Sequence, residues 1–303
     1  MSDTFVPTFV PTVEPAGLTE LKPGVWVIPD GAIRLVPNIA IVEGERSVLV
    51  VDTGMGRDNA RRVLEAARTL AAGRRLLLTV THFHPEHGFG AEVFAGAATI
   101  VYNAAQRDEL RDKGPGYLEM FRTFGPAVAA SLEGVELAGP DLVYSGELGI
   151  DLGGREVRLI EVGPAHTRGD QIVWLPAERV VVAGDLLETD VFPIFPFFPP
   201  DDADVDGNKW IAVLRRIAAL GPETVVPGHC AIRGADIIEE TERYLLDLGS
   251  RTQQLKDAGL DADAAVAELE PIVRAEHPSW REPNWVEAGI RCFHATGFTV
   301  SRS

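Results

Sequence analysis

The chain predicts an α/β protein in which β-sheets are sandwiched between helices, and three observations carry that expectation. Short β-branched runs give way to an amphipathic helical period, and the same strand-then-helix succession returns in the second half. Gly and Pro punctuate the runs as turn formers do. The residues best able to hold a metal ion stand directly after apolar runs, where strands end.

Taken in order, residues 25–28 (VWVI), 39–42 (IAIV) and 47–52 (SVLVVD) read as strands, divided by Pro-Asp-Gly and Glu-Gly-Glu turns. Between 57 and 72 the period changes. Ala60, Val63, Leu64, Ala67, Leu70 and Ala71 fall on one helical stripe that Gly73 closes. An apolar strand at 76–80 runs into a histidine cluster, after which a helix begins. Residues 103–137 are expected to be mostly helical and broken at Gly114-Pro115-Gly116 and Gly125-Pro126, as an excursion lying over the core. Strand character returns at 157–162, 171–175 and 180–183. Trp210, Val213, Leu214, Ile217 and Leu220 form another helical stripe, followed by a short strand at 224–226. Beyond 235 the chain reads as helical to about 275 and then as aromatic and irregular.

Composition narrows the function. The 303 residues are 46% hydrophobic and 24% charged, enough to bury a full core. A net charge of −17 repels phosphodiester backbones, so no nucleic-acid partner is expected. Two cysteines, Cys230 and Cys292, are too few for a disulfide framework and fit a reducing cytoplasm. No leader pattern or bilayer-length apolar run stands out, so neither secretion nor membrane insertion is expected. The tandem Phe5-Val6-Pro7-Thr8 and Phe9-Val10-Pro11-Thr12 makes residues 1–17 an extended arm, because proline fixes φ and biases its predecessor to extended geometry. Such an arm is either a frayed terminus or a strap across a second subunit of a homo-oligomer.

The chemistry concentrates at Thr81-His82-Phe83-His84-Pro85-Glu86-His87, with three of the seven histidines. Side chains two apart at a strand end leave on the same face, so His82 and His84 can close on one ion. The turn through Pro85 lets Glu86 and His87 face a second point nearby, which makes a two-metal site the natural hypothesis. Further ligands must come from other strand ends on the same edge. His166, Asp185 and His229 each follow an apolar run and stand close to glycine in Gly163-Pro164-Ala165-His166, Gly184-Asp185 and Gly228-His229.

With those motifs in order, the chain resembles the metallo-β-lactamase superfamily of αββα-sandwich hydrolases. The resemblance rests on Val51-Asp52-Thr53-Gly54, the His82–His87 cluster, His166, Asp185 and His229, and it covers roughly residues 18–235. It implies two mixed β-sheets flanked by helices, with His82, His84 and His166 on a first metal, Glu86, His87 and His229 on a second, and Asp185 bridging both. One departure is plain: the family motif is H-x-H-x-D-H, and Glu86 takes the aspartate position. The extra methylene leaves three alternatives: Glu86 ligates the second metal, displaces it, or orients the attacking water. Asp52 is expected to support the histidine loop by hydrogen bonds. The expected organisation is the arm at 1–17, the metallo-β-lactamase-like domain at 18–235 with a helical insertion at 103–146, and a helical extension at 236–303 packed on the same domain.

Imidazoles with carboxylates suit Zn2+, two ions being expected, and would accept iron or manganese. Such ions bring the pKa of a bound water toward neutrality and polarise an electrophile, so Glu86 and Asp185 sit where the catalytic carboxylates are expected and no Ser or Cys nucleophile is needed. Cys230 beside His229 is either a nucleophile lacking a partner base or a packed thiol. Phe192, Phe195, Phe197 and Phe198, in a proline-stiffened loop after Asp185, either line a pocket for an apolar small-molecule substrate or pack against the C-terminal helices or a second subunit. The expected reaction is hydrolysis of a small, rather apolar ester, lactone, amide or similar electrophile. The alternatives are a mononuclear iron dioxygenase of the persulfide-oxidising type and a non-catalytic scaffold.

Overall fold

Hydrophobic strands that run straight through a core need both faces covered, and the computed structural model, which describes residues 10–200 and 202–300, meets that need with helices on two sheets. The first sheet has seven strands in the order β1-β2-β3-β4-β5-β6-β7. These are β1 (Thr19–Lys22), β2 (Val25–Ile28), β3 (Ile39–Glu43), β4 (Ser47–Val51), β5 (Arg75–Thr79), β6 (Ala98–Asn103) and β7 (Leu142–Tyr144). Pairing is antiparallel from β1 to β4 and parallel from β4 to β7. Strands β8 (Glu147–Asp151), β9 (Glu156–Glu161), β10 (Gln171–Leu175), β11 (Val180–Gly184) and β12 (Thr224–Pro227) form the second sheet, in the order β12-β11-β10-β9-β8. Two mixed sheets flanked by helices are the αββα sandwich that the motifs implied.

By backbone proximity the chain divides into two units, one of residues 1–161 with 171–182 and one of 162–170 with 183–303. In the first, helix α1 (Gly56–Ala71) follows β4 and lays Ala60, Val63, Leu64, Ala67 and Ala71 into the core of the first sheet, the stripe read from its period. Ala72 ends it in the left-handed conformation, at φ 48°. The short α2 (Pro85–Gly88) carries Glu86 and His87, and α3 (Ala104–Arg122) and α4 (Pro126–Ser131) follow β6. Arm residues 11–13 are held on α1. The Asn59 carboxamide donates to the Pro11 and Met55 carbonyls and accepts from Val13 N–H, each at 2.8 Å. Most of the tandem Phe-Val-Pro-Thr repeat, and with it the expected subunit strap, lies outside the described residues.

Three expectations about elements change. The Gly114-Pro115-Gly116 run does not break α3, which carries Pro115 in its interior. Its Tyr117 packs edge-on against Phe83 at 4.9 Å, and that tertiary contact offsets the missing backbone donor. The segment 103–146 also holds a strand, β7, which closes an edge of the first sheet. The stretch read as aromatic and irregular contains α8 (Asn284–Thr296), whose Val286, Gly289, Ile290 and Phe293 make a buried stripe at helical spacing. In the second unit α8 packs with α5 (Gly207–Ala219), α6 (Asp236–Asp257) and α7 (Ala262–Glu276). Asp206 caps α5 through Asn208 and Lys209 N–H, and Asp261 caps α7 through Ala264 N–H. No helix among the described residues is long and apolar enough to cross a membrane.

Candidate metal centre

Parallel pairing places the centre's first elements. Val51 stands opposite Thr79 in the β4–β5 ladder, so Asp52 and the chain leading to His82 leave the sheet at one edge. Asp52 adopts a left-handed φ of 72°, a conformation unusual for a side-chain-bearing residue, and its hydrogen bonds show what it serves. Its N–H donates to the Thr79 carbonyl at 2.9 Å. Its carboxylate accepts from Thr81 N–H at 2.6 Å and Thr81 hydroxyl at 3.0 Å, and lies 2.9 Å from His87 Nδ1. A carboxylate on Nδ1 holds the proton there and leaves Nε2 as the ligand nitrogen. His82 Nε2 and His84 Nδ1 lie 3.0 Å apart, two imidazoles aimed at a common point. Tyr117 of α3 stacks on the His84 ring at 5.0 Å and 20°, which fixes its plane.

In the second unit three ligand-type residues come from three separate strand ends. His166 lies in the loop 162–170, Asp185 directly after β11, and His229 two residues after β12. The Asp185 carboxylate divides between the two histidines: Oδ2 is 3.7 Å from His166 Nε2, and Oδ1 is 3.8 Å from His229 Nε2. His166 Nδ1 is 2.8 Å from the Ile194 carbonyl and so donates to it, leaving Nε2 on the Asp185 side. Gly228 must be glycine, since a Cβ there would stand 1.9 Å from Asp185 Oδ1. Glu188 accepts the His229 N–H at 3.0 Å. Burial, and after it the charge of Asp185, pushes the Glu188 carboxyl well above the usual carboxylate range.

Two groups of donor atoms have metal-ligand spacing among the described residues: His82, His84, His166 and Asp185, and Glu86, His87, Asp185 and His229. Within each, the donors lie within 4.8 Å of one another. An ion with tetrahedral bonds of about 2.0–2.1 Å separates its ligand atoms by roughly 3.3 Å. The 3.0, 3.7 and 3.8 Å separations bracket that value. Six of the seven side chains are buried and His229 is half-buried. Burying so many imidazoles and carboxylates is costly unless a cation compensates, so this donor set fits metal ions. Glu86 stands with the second group, at the position of the motif's aspartate.

The phenylalanines after Asp185 divide. Phe192 is 1% exposed and enclosed by Tyr244, His277 and Trp280, and Phe195 is 0% exposed between Trp210 and Phe293. Both rings pack on helices that follow the loop, Phe192 on Tyr244 of α6 and Phe195 on Phe293 of α8. Phe197 is half-buried and Phe198 is 42% exposed. Cys230, at φ 71°, takes a contact from the Arg281 guanidinium. Burial pushes the Cys292 thiol up to about 12. Sequence reading missed Thr81, Tyr117, Glu188 and the Ile194 carbonyl. Only Glu188 carried a signal, as a second acid three residues after Asp185. A main-chain carbonyl carries none.

The family model for the metallo-beta-lactamase superfamily matches residues 32–229. The alpha subunit of a 2,4-dinitroanisole O-demethylase from Nocardioides sp. (strain JS1661) is 29% identical over 221 residues, which cover 71% of this chain and 58% of that protein. A linear primary-alkylsulfatase from Pseudomonas sp. (strain ATCC 19151) is 24% identical over 281 residues, 80% of this chain and 52% of that protein. The chain thus spans little more than half the length of these two relatives. Among solved structures, a sec-alkylsulfatase from Pseudomonas sp. matches with a TM-score of 0.68 at 15% identity, over 93% of this chain and 50% of that one. A metallo-beta-lactamase from Pontibacter korlensis matches with a TM-score of 0.60 at 17% identity, over 75% and 97%. At such identities the structures speak to the fold alone. The sequence match is the stronger finding, since it begins before Asp52, ends on His229 and contains every candidate ligand between them: the chain belongs to the metallo-β-lactamase superfamily.

Proposed function

We propose that the chain is a two-metal hydrolase, zinc being the expected ion, that cleaves a small, rather apolar ester or a related electrophile. The observation that carries this reading is the pair of donor groups sharing Asp185, whose two oxygens each face a different histidine. His82, His84, His166 and Asp185 would hold one ion, and Glu86, His87, His229 and Asp185 the other. Ions bound there would acidify a water and polarise the electrophile, supplying nucleophile and Lewis acid together. The protein's own part is orientation. Asp52 keeps the His87 proton on Nδ1, Ile194 does the same for His166, and Tyr117 holds the plane of His84. The buried setting keeps bulk water from competing for these groups.

The relatives' names widen the substrate panel beyond esters, lactones and amides to an aryl methyl ether, an alkyl sulfate and, from an acyl-coenzyme A thioesterase of Bos taurus 27% identical over 216 residues, an acyl thioester. The deciding experiment is elemental mass spectrometry on chelator-free protein, followed by that panel with zinc present. About two zinc ions per chain and metal-dependent turnover of one panel member are expected. A single iron with oxygen uptake and no hydrolysis would overturn the reading in favour of a dioxygenase. No bound metal and no turnover would leave the scaffold.

A further inference from the structure

Gln171 opens β10, a strand whose other residues are Ile172, Val173, Trp174 and Leu175, and it is 0% exposed. A carboxamide buried among apolar side chains is costly unless every polar atom is satisfied, so its partners disclose its purpose. Its Nε2 donates to Thr79 Oγ1 at 2.6 Å and to the Val80 carbonyl at 2.8 Å. Its Oε1 accepts from the Tyr144 hydroxyl at 2.5 Å, and its main-chain N–H donates to the Thr81 carbonyl at 3.0 Å. Since a carbonyl only accepts, the Val80 contact settles which end of the carboxamide is nitrogen.

Thr79, Val80 and Thr81 are the three residues that lead into His82. The parallel ladder of β5 with β6 stops at Leu78 opposite Ile100, and that with β4 stops at Thr79. Beyond that point the backbone has left the sheet, and its polar groups need partners from elsewhere. Gln171 supplies one to each of the three residues in turn. The surroundings stiffen the same node. Gln106 Nε2 donates to the same Val80 carbonyl at 2.8 Å, Thr79 Oγ1 donates to the Val101 carbonyl at 2.7 Å, and Asn103 caps α3 by accepting the Gln106 N–H at 2.8 Å. All of these groups are buried, where each bond polarises the next and a missing partner is expensive.

We infer that Gln171 is the positioning residue that sets where the histidine loop leaves the sheet, and so the spacing of the His82, His84, Glu86 and His87 donors. This inference rests on the metal-centre reading above. A core filler and a positioning residue respond differently to Gln171→Met, which keeps the volume and removes all three side-chain hydrogen bonds. The test is zinc affinity by chelator competition, together with amide hydrogen exchange on the metal-free protein. Expected are a fall in affinity of about 10–100-fold, the range typical of groups that orient metal ligands, and faster exchange confined to residues 79–88. Thr79→Val, which at constant shape removes the bond Thr79 accepts from Gln171 together with the one it gives to Val101, should give a smaller fall in the same direction and decides the matter if the methionine variant does not fold. Wild-type affinity and exchange in the folded variants would overturn the inference. If the wild-type protein itself binds no zinc, or His82→Ala leaves the affinity unchanged, it is the metal-centre reading that fails.

Discussion

The two ligand sets reach the same chemistry by opposite routes. In the first unit, His82, His84, Glu86 and His87 lie within six residues, and one carboxylate, Asp52, ties Thr81 and His87 together. In the second, His166, Asp185 and His229 are spread over three strand ends, with Asp185 between the two histidines. A local cluster needs only one well-held loop. A dispersed set needs the strand ends themselves to align, so its precision comes from the sheet and from backbone groups such as the Ile194 carbonyl. The dispersed set also holds the one residue common to both donor groups, and damage there reaches further.

Asp185→Ala therefore has the largest expected effect. Both donor groups lose a member, so metal content falls toward zero and turnover falls to background, whereas His84→Ala touches only the first group and leaves about half the metal. Elemental analysis of the two variants side by side checks this, and equal losses would show that the groups do not share Asp185. Asp52→Ala comes next. It frees the His87 imidazole without removing a donor, so metal affinity drops about 10–100-fold, and kcat falls while the folded protein persists. Chelator competition with circular dichroism reads both parts; an unfolded variant would make Asp52 a fold residue instead.

Glu86→Asp should have the smallest effect. Restoring the motif's acid shortens the carboxylate's reach by about 1.5 Å, one carbon–carbon bond, in a loop built for glutamate. Metal content should stay the same, with faster release of one equivalent to a chelator. Slower release would mean that the loop adapts and that glutamate is the weaker ligand at this position.

The strongest periods were legible in the chain: the apolar stripe of α1, the run ending at Thr79 and the polar residues after each strand are local patterns that burial on one face imposes. Elements that local pattern disfavours were not. Pro115 signals a break, yet α3 continues because Tyr117 and Phe121 are buried against the core. Val286, Gly289 and Phe293 look irregular until the other helices of the second unit claim one face of α8. The surroundings of Phe192 and Phe195 were left open for the same reason, since sequence shows that a ring must be buried and not against what.

At the candidate centre, the sequence by itself determined which side chains are available: imidazoles and carboxylates placed after apolar runs, in an order that identifies the family. Only the tertiary structure decided their grouping. It divided Asp185 between His166 and His229, stood Glu86 with the second donor group, and enlisted Thr81, Tyr117, Gln171 and the Ile194 carbonyl as supports. The physical reason is that ligand identity is a property of single residues, whereas ligand spacing and proton placement depend on distances between segments far apart in the chain, which sheet register and buried hydrogen bonds set.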